Sequence, residues 1–182
     1  MDELIDILDS EGNLTGQTAM KSEAHQKGLF HQTVHIWFYT SEREILIQQR
    51  GRNKDTHPLL WDVSVAGHIG AGEDIETAAQ REVEEEIGLS IKKDDLQKIG
   101  FYPSFFKHHE DLVDNEFHHT FVCELKSLIG DLIKQENEVE ALTLVSIANF
   151  EEEINDENRS KKYVPHSKDY YTAILKEIKD LQ

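Results

Sequence analysis

The residues best suited to chemistry lie close together, in the run GHIGAGEDIETAAQREVEEEIGL from Gly67 to Leu89. Ile75, Ala79, Val83 and Ile87 recur every four residues, Asp74 is a suitable N-cap, and Gly88 is placed to stop a helix. This pattern predicts a helix over 74–87. At about 100° per residue, Glu82, Glu85 and Glu86 project from one side, beside the apolar stripe. Their carboxylates are then held at the margin of the core, facing a cleft. Three like charges so placed repel by roughly 0.2–0.5 kcal/mol per neighbouring pair on an exposed helix, and by more in a half-buried cleft. A divalent cation removes that repulsion. Hard oxygen ligands on a rigid element suit Mg²⁺ or Mn²⁺, which take further ligands from water and substrate phosphates. Arg81, four residues before Glu85, is placed to orient a carboxylate by a charge-assisted bond. Taken alone, the three glutamates also fit a solvated acidic helix face.

The elements that must position this helix follow from local patterns. Strands are expected over 3–8, 33–39, 44–49, 59–65, 99–106, 117–125 and 139–146, where β-branched, aromatic and aliphatic residues cluster between turn signals. Asp9-Ser10-Glu11-Gly12-Asn13 and Thr40-Ser41-Glu42-Arg43 read as turns. The charged stretch 151–162 reads as a short helix running into a solvated loop, and 170–181 as a closing amphipathic helix. Strands and helices in this order suggest an α/β fold, a mixed sheet with helices packed on it. No repeat or linker divides the chain, so residues 1–182 are expected to form one domain.

The wider spacing adds to the carboxylate helix. Gly67, five residues, Glu73, seven residues, Arg81-Glu82-Val83, one residue, Glu85-Glu86, one residue, then Gly88-Leu89 resembles the complete Nudix box. The resemblance implies a metal-dependent hydrolase on the Nudix α/β/α sandwich, with the box helix and a C-terminal helix against a mixed sheet. It implies metal binding by Glu82, Glu85 and Glu86 with the Gly67 carbonyl, and support from Arg81 and Glu73. Metal ions would neutralise a diphosphate, generate the nucleophile and hold both partners in line.

The likeness extends outward. Glu23-Ala24-His25, Gly28-Leu29-Phe30-His31, Thr33 to Trp37, Gln48 to Lys54 and Pro58 to His68 look like isopentenyl-diphosphate isomerase and its hydrolase-like cousins. In that branch three histidines and two acids form a separate metal site. The matching positions are His25, His31, His68, Asp114 and Glu116, with Asp114 standing where the isomerase pattern has Glu. The isomerase also needs a cysteine just before the glycine that opens the box. Here that position is Ala66, which neither donates nor accepts a proton, so the departure favours hydrolysis. Arg50 and Lys54 match basic positions that contact diphosphate in the relatives. For the general base, Glu116 is favoured over Glu138, with Glu110 and Glu136 also open. His25 and His31 without this pattern would read as surface or packing residues. His108, His109, His118 and His119 lack zinc-motif spacing and read as strand and loop residues, and His57 carries no assignment. Trp37 and Trp61 read as core residues rather than base-stacking platforms, with both roles open to Trp61, which sits just before the box.

The bulk numbers bound the partners. A chain of 182 residues suits one domain with a full core, and a formal charge of −17 disfavours nucleic acid polymers and anionic membranes. One cysteine, Cys123, forbids an internal disulfide framework. With no apolar run long enough to span a bilayer and no signal-peptide pattern, a cytoplasmic location is expected. The expected partner is a small-molecule diphosphate, and the expected state a monomer or homodimer. Two rivals stand beside the hydrolase: an isoprenoid-diphosphate isomerase, and a diphosphate-binding module without turnover. Nucleoside diphosphates, nucleotide sugars, dinucleotides and isoprenoid diphosphates all carry the group the box would recognise. Selectivity is expected outside it, in the loop region 96–113.

Overall fold

The computed structural model describes residues 2–181. The strands are β1 (Leu4–Leu8), β2 (Leu14–Met20), β3 (His31–Tyr39), β4 (Glu44–Arg50), β5 (Trp61–Asp62), β6 (Val65–His68), β7 (Gln97–His109), β8 (Leu112–Glu124) and β9 (Val139–Ser146). The helices are α1 (Lys21–Lys27), α2 (Ile75–Ile87), α3 (Ile147–Asn155) and α4 (Lys168–Asp180). All nine strands join one mixed sheet around β3, which runs parallel to β8 and antiparallel to β1, β4 and β6.

Strand alternation sorts the core into two layers. Val34, Ile36 and Phe38 of β3 face one side with Leu46 and Phe121, and pack on Ala78, Ala79, Val83 and Ile87 of α2. Trp37, Ile45, Ile47 and Val122 face the other, against Phe150 of α3 and Tyr170, Ile174 and Ile178 of α4. The chain is thus an α/β/α sandwich. The apolar stripe predicted for the box helix is the stripe that packs: Ala79, Val83 and Ile87 are wholly buried. Asp74 caps α2 by accepting from the Thr77 amide, and Gly88 ends it in the left-handed region at φ 66°.

Several boundaries differ from the sequence reading. The strand expected over 59–65 is two short ones, β5 and β6, pairing with β4 and β3 respectively. The short helix expected at the start of 151–162 begins earlier, at Ile147, where the Ser146 side chain caps it, and ends at Asn155. The strand expected over 99–106 is longer, β7 running from Gln97 to His109, and with β8 it forms one long antiparallel ribbon, so most of the region 96–113 assigned to selectivity loops is strand. Neither β2 nor α1 was anticipated. The residues of β2 are mostly exposed, so no apolar alternation marks it, and α1 buries only Ala24. Trp37 is a core residue as expected, whereas Trp61 is partly buried against the α3/α4 layer.

One departure from regular pairing opens the site. β3 and β4 meet only at Tyr39↔Ile45 and then diverge. β6 follows β3 and β5 follows β4. The C-terminal half of α2 lies across the opening, where the Glu86 carboxylate reaches both Ala66 and Gln48.

Candidate active site

The box residues converge as their spacing implied. Arg81 gives two parallel bonds to Glu73 (Nε to Oε1 2.9 Å, Nη2 to Oε2 2.9 Å) and donates to Glu82 at 2.7 Å and Glu85 at 3.3 Å. Its Nη2 also donates to the His68 carbonyl at 2.9 Å, which ties α2 to β6. Glu73 in turn accepts from the Gly70 amide. One guanidinium therefore aligns three carboxylates and the strand before the box, a use of the planar fork that lysine does not replace.

Gly67 lies directly against the Glu82 carboxylate, so that a Cβ there would overlap it. Glu82 and Glu86 are buried, while Glu85 sits at the rim with its side chain half exposed. Burial pushes the Glu86 carboxyl up to about 8, with Glu82 adding to the rise and Lys54 opposing it. Burial also raises Glu82, against the pull of Arg81. Two buried carboxylates with raised proton affinity, beside a glycine that itself lines the cavity, fit a divalent cation well.

A second cluster forms on the α3/α4 side of the sheet. Register places His31 of β3 beside Glu116 of β8, and Thr33 between His68 of β6 and His118 of β8. His25 reaches over from α1. One ligand atom from each of His25, His31, His68 and Glu116 lies within 4.8 Å of the others. His25 Nε2 stands 3.2 Å from His68 Nε2, and His31 Nε2 is buried without a hydrogen-bond partner. Asp114 is outside the group. Its carboxylate binds His25 Nδ1 at 2.7 Å and His108 Nε2 at 2.7 Å, so it orients a histidine. Burial would raise Glu116 and lower His31, but their mutual attraction outweighs it, leaving Glu116 below and His31 above their ordinary ranges. Burial holds His68 far below its ordinary value, so it stays neutral and able to bind metal.

The basic residues are already engaged. Arg50 donates to Asp62 at 3.1 Å and to the Thr56 carbonyl and hydroxyl at 3.0 Å each. Lys54 pairs closely with Glu138. Burial raises Glu138, but Lys54 more than offsets it, and the carboxyl lies below its usual range. Both cations face the same cavity of about 590 Å³ that holds Glu82, Glu85, Glu86, His25, His68 and Glu116 along its walls. Glu110 and Glu136 do not line it.

The structure adds residues that the sequence reading passed over. Lys21 lines the cavity, as do His35, His118, Asp62 and His166. His108 and His57 pack edge to face at 4.9 Å beside Asp114. For Lys21, the pairing of α1 with the rest of the site was the missing signal. His118 was read as an ordinary strand residue, and only the β3–β8 register shows that it faces inward.

Comparison with known proteins agrees with this architecture. The NUDIX domain model matches residues 29–167, and the chain belongs to the Nudix hydrolase family. It is 34% identical to an uncharacterised Nudix hydrolase of Clostridium acetobutylicum, over 98% of each chain. It is 34% identical to an isopentenyl-diphosphate Delta-isomerase of Serratia proteamaculans, over 67% of this chain and 66% of that one. It is also 32% identical to Nudix hydrolase 3 of Arabidopsis thaliana, matching 91% of this chain but only 22% of that protein. Among solved structures, a Deinococcus radiodurans protein superposes with a TM-score of 0.66 at 17% identity, covering 96% of this chain and 98% of that one. The Escherichia coli dihydroneopterin triphosphate pyrophosphohydrolase gives 0.57 at 17% identity, covering 80% and 92%.

Proposed function

We propose that this chain hydrolyses the diphosphate bond of a small organic diphosphate. Glu82, Glu85 and Glu86, with the Gly67 carbonyl, are the assigned holders of Mg²⁺ or Mn²⁺. Such ions, when bound, neutralise the phosphoryl oxygens and lower the pKa of water. Arg81 and Glu73 keep the carboxylates in place. Lys54 and Arg50 stand where a diphosphate enters, and each must release an internal partner to touch it. The observation that carries this reading is the Arg81 fork, braced by Glu73, that aligns Glu82 and Glu85 beside Gly67 on the cavity wall.

Glu116 is the assigned acceptor for the proton of the attacking water. Its other neighbours suggest a competing role, because the same carboxylate completes the His25, His31 and His68 cluster. If that cluster holds a metal of its own, Glu116 is a ligand and Glu138 takes the proton. The histidine cluster is also the observation that favours an isomerase reading. Against it stands Ala66, whose side chain carries no proton. All the assigned residues come from one chain, which is compatible with a monomer or a homodimer. No helix among the described residues is long and apolar enough to cross a membrane.

The test is a product-resolved assay over a panel of diphosphates that includes isopentenyl diphosphate, with Mg²⁺ or Mn²⁺ and with Glu85→Gln as control. Release of phosphate or a monophosphate that disappears in Glu85→Gln is the expected result. A rearranged diphosphate without release would replace hydrolase by isomerase. Metal binding with no turnover of any member would favour a binding module.

A further inference from the structure

Beyond the carboxylates and the histidine cluster, the same face of the sheet carries a third group of polar residues. On β3 the side chains of His31, Thr33 and His35 point the same way, and on β8 so do Glu116, His118 and Thr120, which are their partners in register. His35 therefore stands two steps along the cavity floor from His31, on the order of 13 Å at about 3.3 Å per residue. It lies in register with Ala66.

Each imidazole here is fixed from behind. Tyr170 Oη meets His35 Nδ1 at 2.8 Å and accepts from Trp37 Nε1 at 2.9 Å. His166 Nε2 donates to Asp62 Oδ1 at 2.8 Å, and Asp62 also accepts from Arg50 Nη1 and from the Val63 amide. His35 stacks on His118 at 3.9 Å, and His166 stands edge-on to both. Among the described residues, neither His35 Nε2 nor His166 Nδ1 has a hydrogen-bond partner, and neither atom is sealed from solvent; both residues line the cavity. His118 Nε2, on a residue that also lines the cavity, is sealed and unpartnered. A ring nitrogen of a largely buried side chain that is open to the cavity but unpartnered is a natural hydrogen-bonding partner for a ligand.

We propose that His35 and His166, locked by Tyr170 and Asp62, form a hydrogen-bonding subsite for hydroxyl groups on the organic half of the substrate. The edges of these rings present nitrogen to the cavity, which suits sugar-type hydroxyls that both donate and accept. A branched hydrocarbon would leave the same nitrogens unpaired. This rests on the diphosphatase reading and narrows its substrate class to hydroxylated diphosphates, away from isoprenoid ones.

The probes are UDP-glucose and isopentenyl diphosphate, assayed with the full chain and with His166→Phe and His166→Asn. His166 sits in a loop, so these variants spare the strands, and thermal melting checks their fold. The expected result is that His166→Phe lowers kcat/KM for UDP-glucose about tenfold or more, mainly through KM. The value for isopentenyl diphosphate should hold or rise. His166→Asn, which keeps a polar atom near the Nδ1 position, should recover part of the loss. An equal loss on both probes, or no change on either, would overturn the subsite. Calorimetric binding of both probes with Ca²⁺ keeps the two readings apart. Without turnover, a preference for UDP-glucose that His166→Phe abolishes sustains the subsite while the hydrolase fails. Equal binding of both probes, or a preference untouched by the substitution, overturns it.

Discussion

Gly67 and Glu82 are in such close contact that no side chain fits between them: a Cβ at position 67 would overlap the Glu82 carboxylate. The contact sets the β6 backbone against a helix carboxylate, and it exists only because position 67 has no side chain. Gly67→Ala is therefore expected to displace Glu82 while leaving the strand intact. Activity and Mn²⁺ affinity should fall by about 10–100-fold, the range typical of disturbed support around a metal site. Mn²⁺ titration followed by electron paramagnetic resonance would measure it. Unchanged affinity would show that Glu82 is not a ligand.

The Arg81–Glu73 pair predicts a different pattern. Arg81→Lys keeps the charge but loses the fork that reaches Glu73, Glu82 and Glu85 together. We expect a kcat loss of about 10–100-fold with little change in fold, and a similar loss for Glu73→Gln. Because the two residues act as one unit, the double variant should be far less damaging than the product of the single losses. A multiplicative loss would mean that the pair does not work jointly.

Burial of Glu86 makes a prediction about pH. Its folded-state pKa, about 8, is above its unfolded value. Between roughly pH 4.5 and 8 the folded protein retains a proton that the unfolded chain has released, so rising pH erodes stability over that window. Without divalent ions, the melting temperature of the native chain should fall from pH 5.5 to 8 relative to Glu86→Gln. Added Mn²⁺ displaces the proton and should stabilise the native chain more at pH 8 than at pH 5.5. Parallel curves for the two proteins would contradict the assignment.

The histidine cluster can be tested without substrate. Co²⁺ bound by His25, His31, His68 and Glu116 should give visible absorption bands, and His31→Ala should remove them while Glu85→Gln should not. Bands lost in Glu85→Gln and kept in His31→Ala would place the ion at the box alone.

The core behind the box offers a stability control. Ile87 is wholly buried at the end of α2. Ile87→Ala is expected to cost about 2–5 kcal/mol in urea unfolding. At temperatures where the variant remains folded, its KM should stay near the native value. A large KM change would indicate that α2 shifts bodily.

The box helix was legible in the sequence because its requirements are local. A four-residue apolar repeat, a capping Asp74 and a terminating Gly88 specify the helix, and helical geometry then puts Glu82, Glu85 and Glu86 on one side. The strand at 139–146 was legible for a similar reason, through its apolar centre between turn residues. What the sequence could not show was contact between distant segments. The pairing of β3 with β8 joins residues 85 positions apart and sets His31 beside Glu116 and Thr33 beside His118. No periodicity in either strand encodes its partner's register. Asp114 matched a ligand position by resemblance, yet the fold points both its oxygens at His25 and His108. Arg50 and Lys54 matched diphosphate-contacting positions by resemblance, and tertiary structure gave each an internal acid. Asp62 and His166 lie 104 positions apart and meet only because the chain after α3 returns to β5. Local spacing thus determined the carboxylate helix. The divergence of β3 from β4, and the folding of α1 and the C-terminal segment onto that opening, decided what surrounds it.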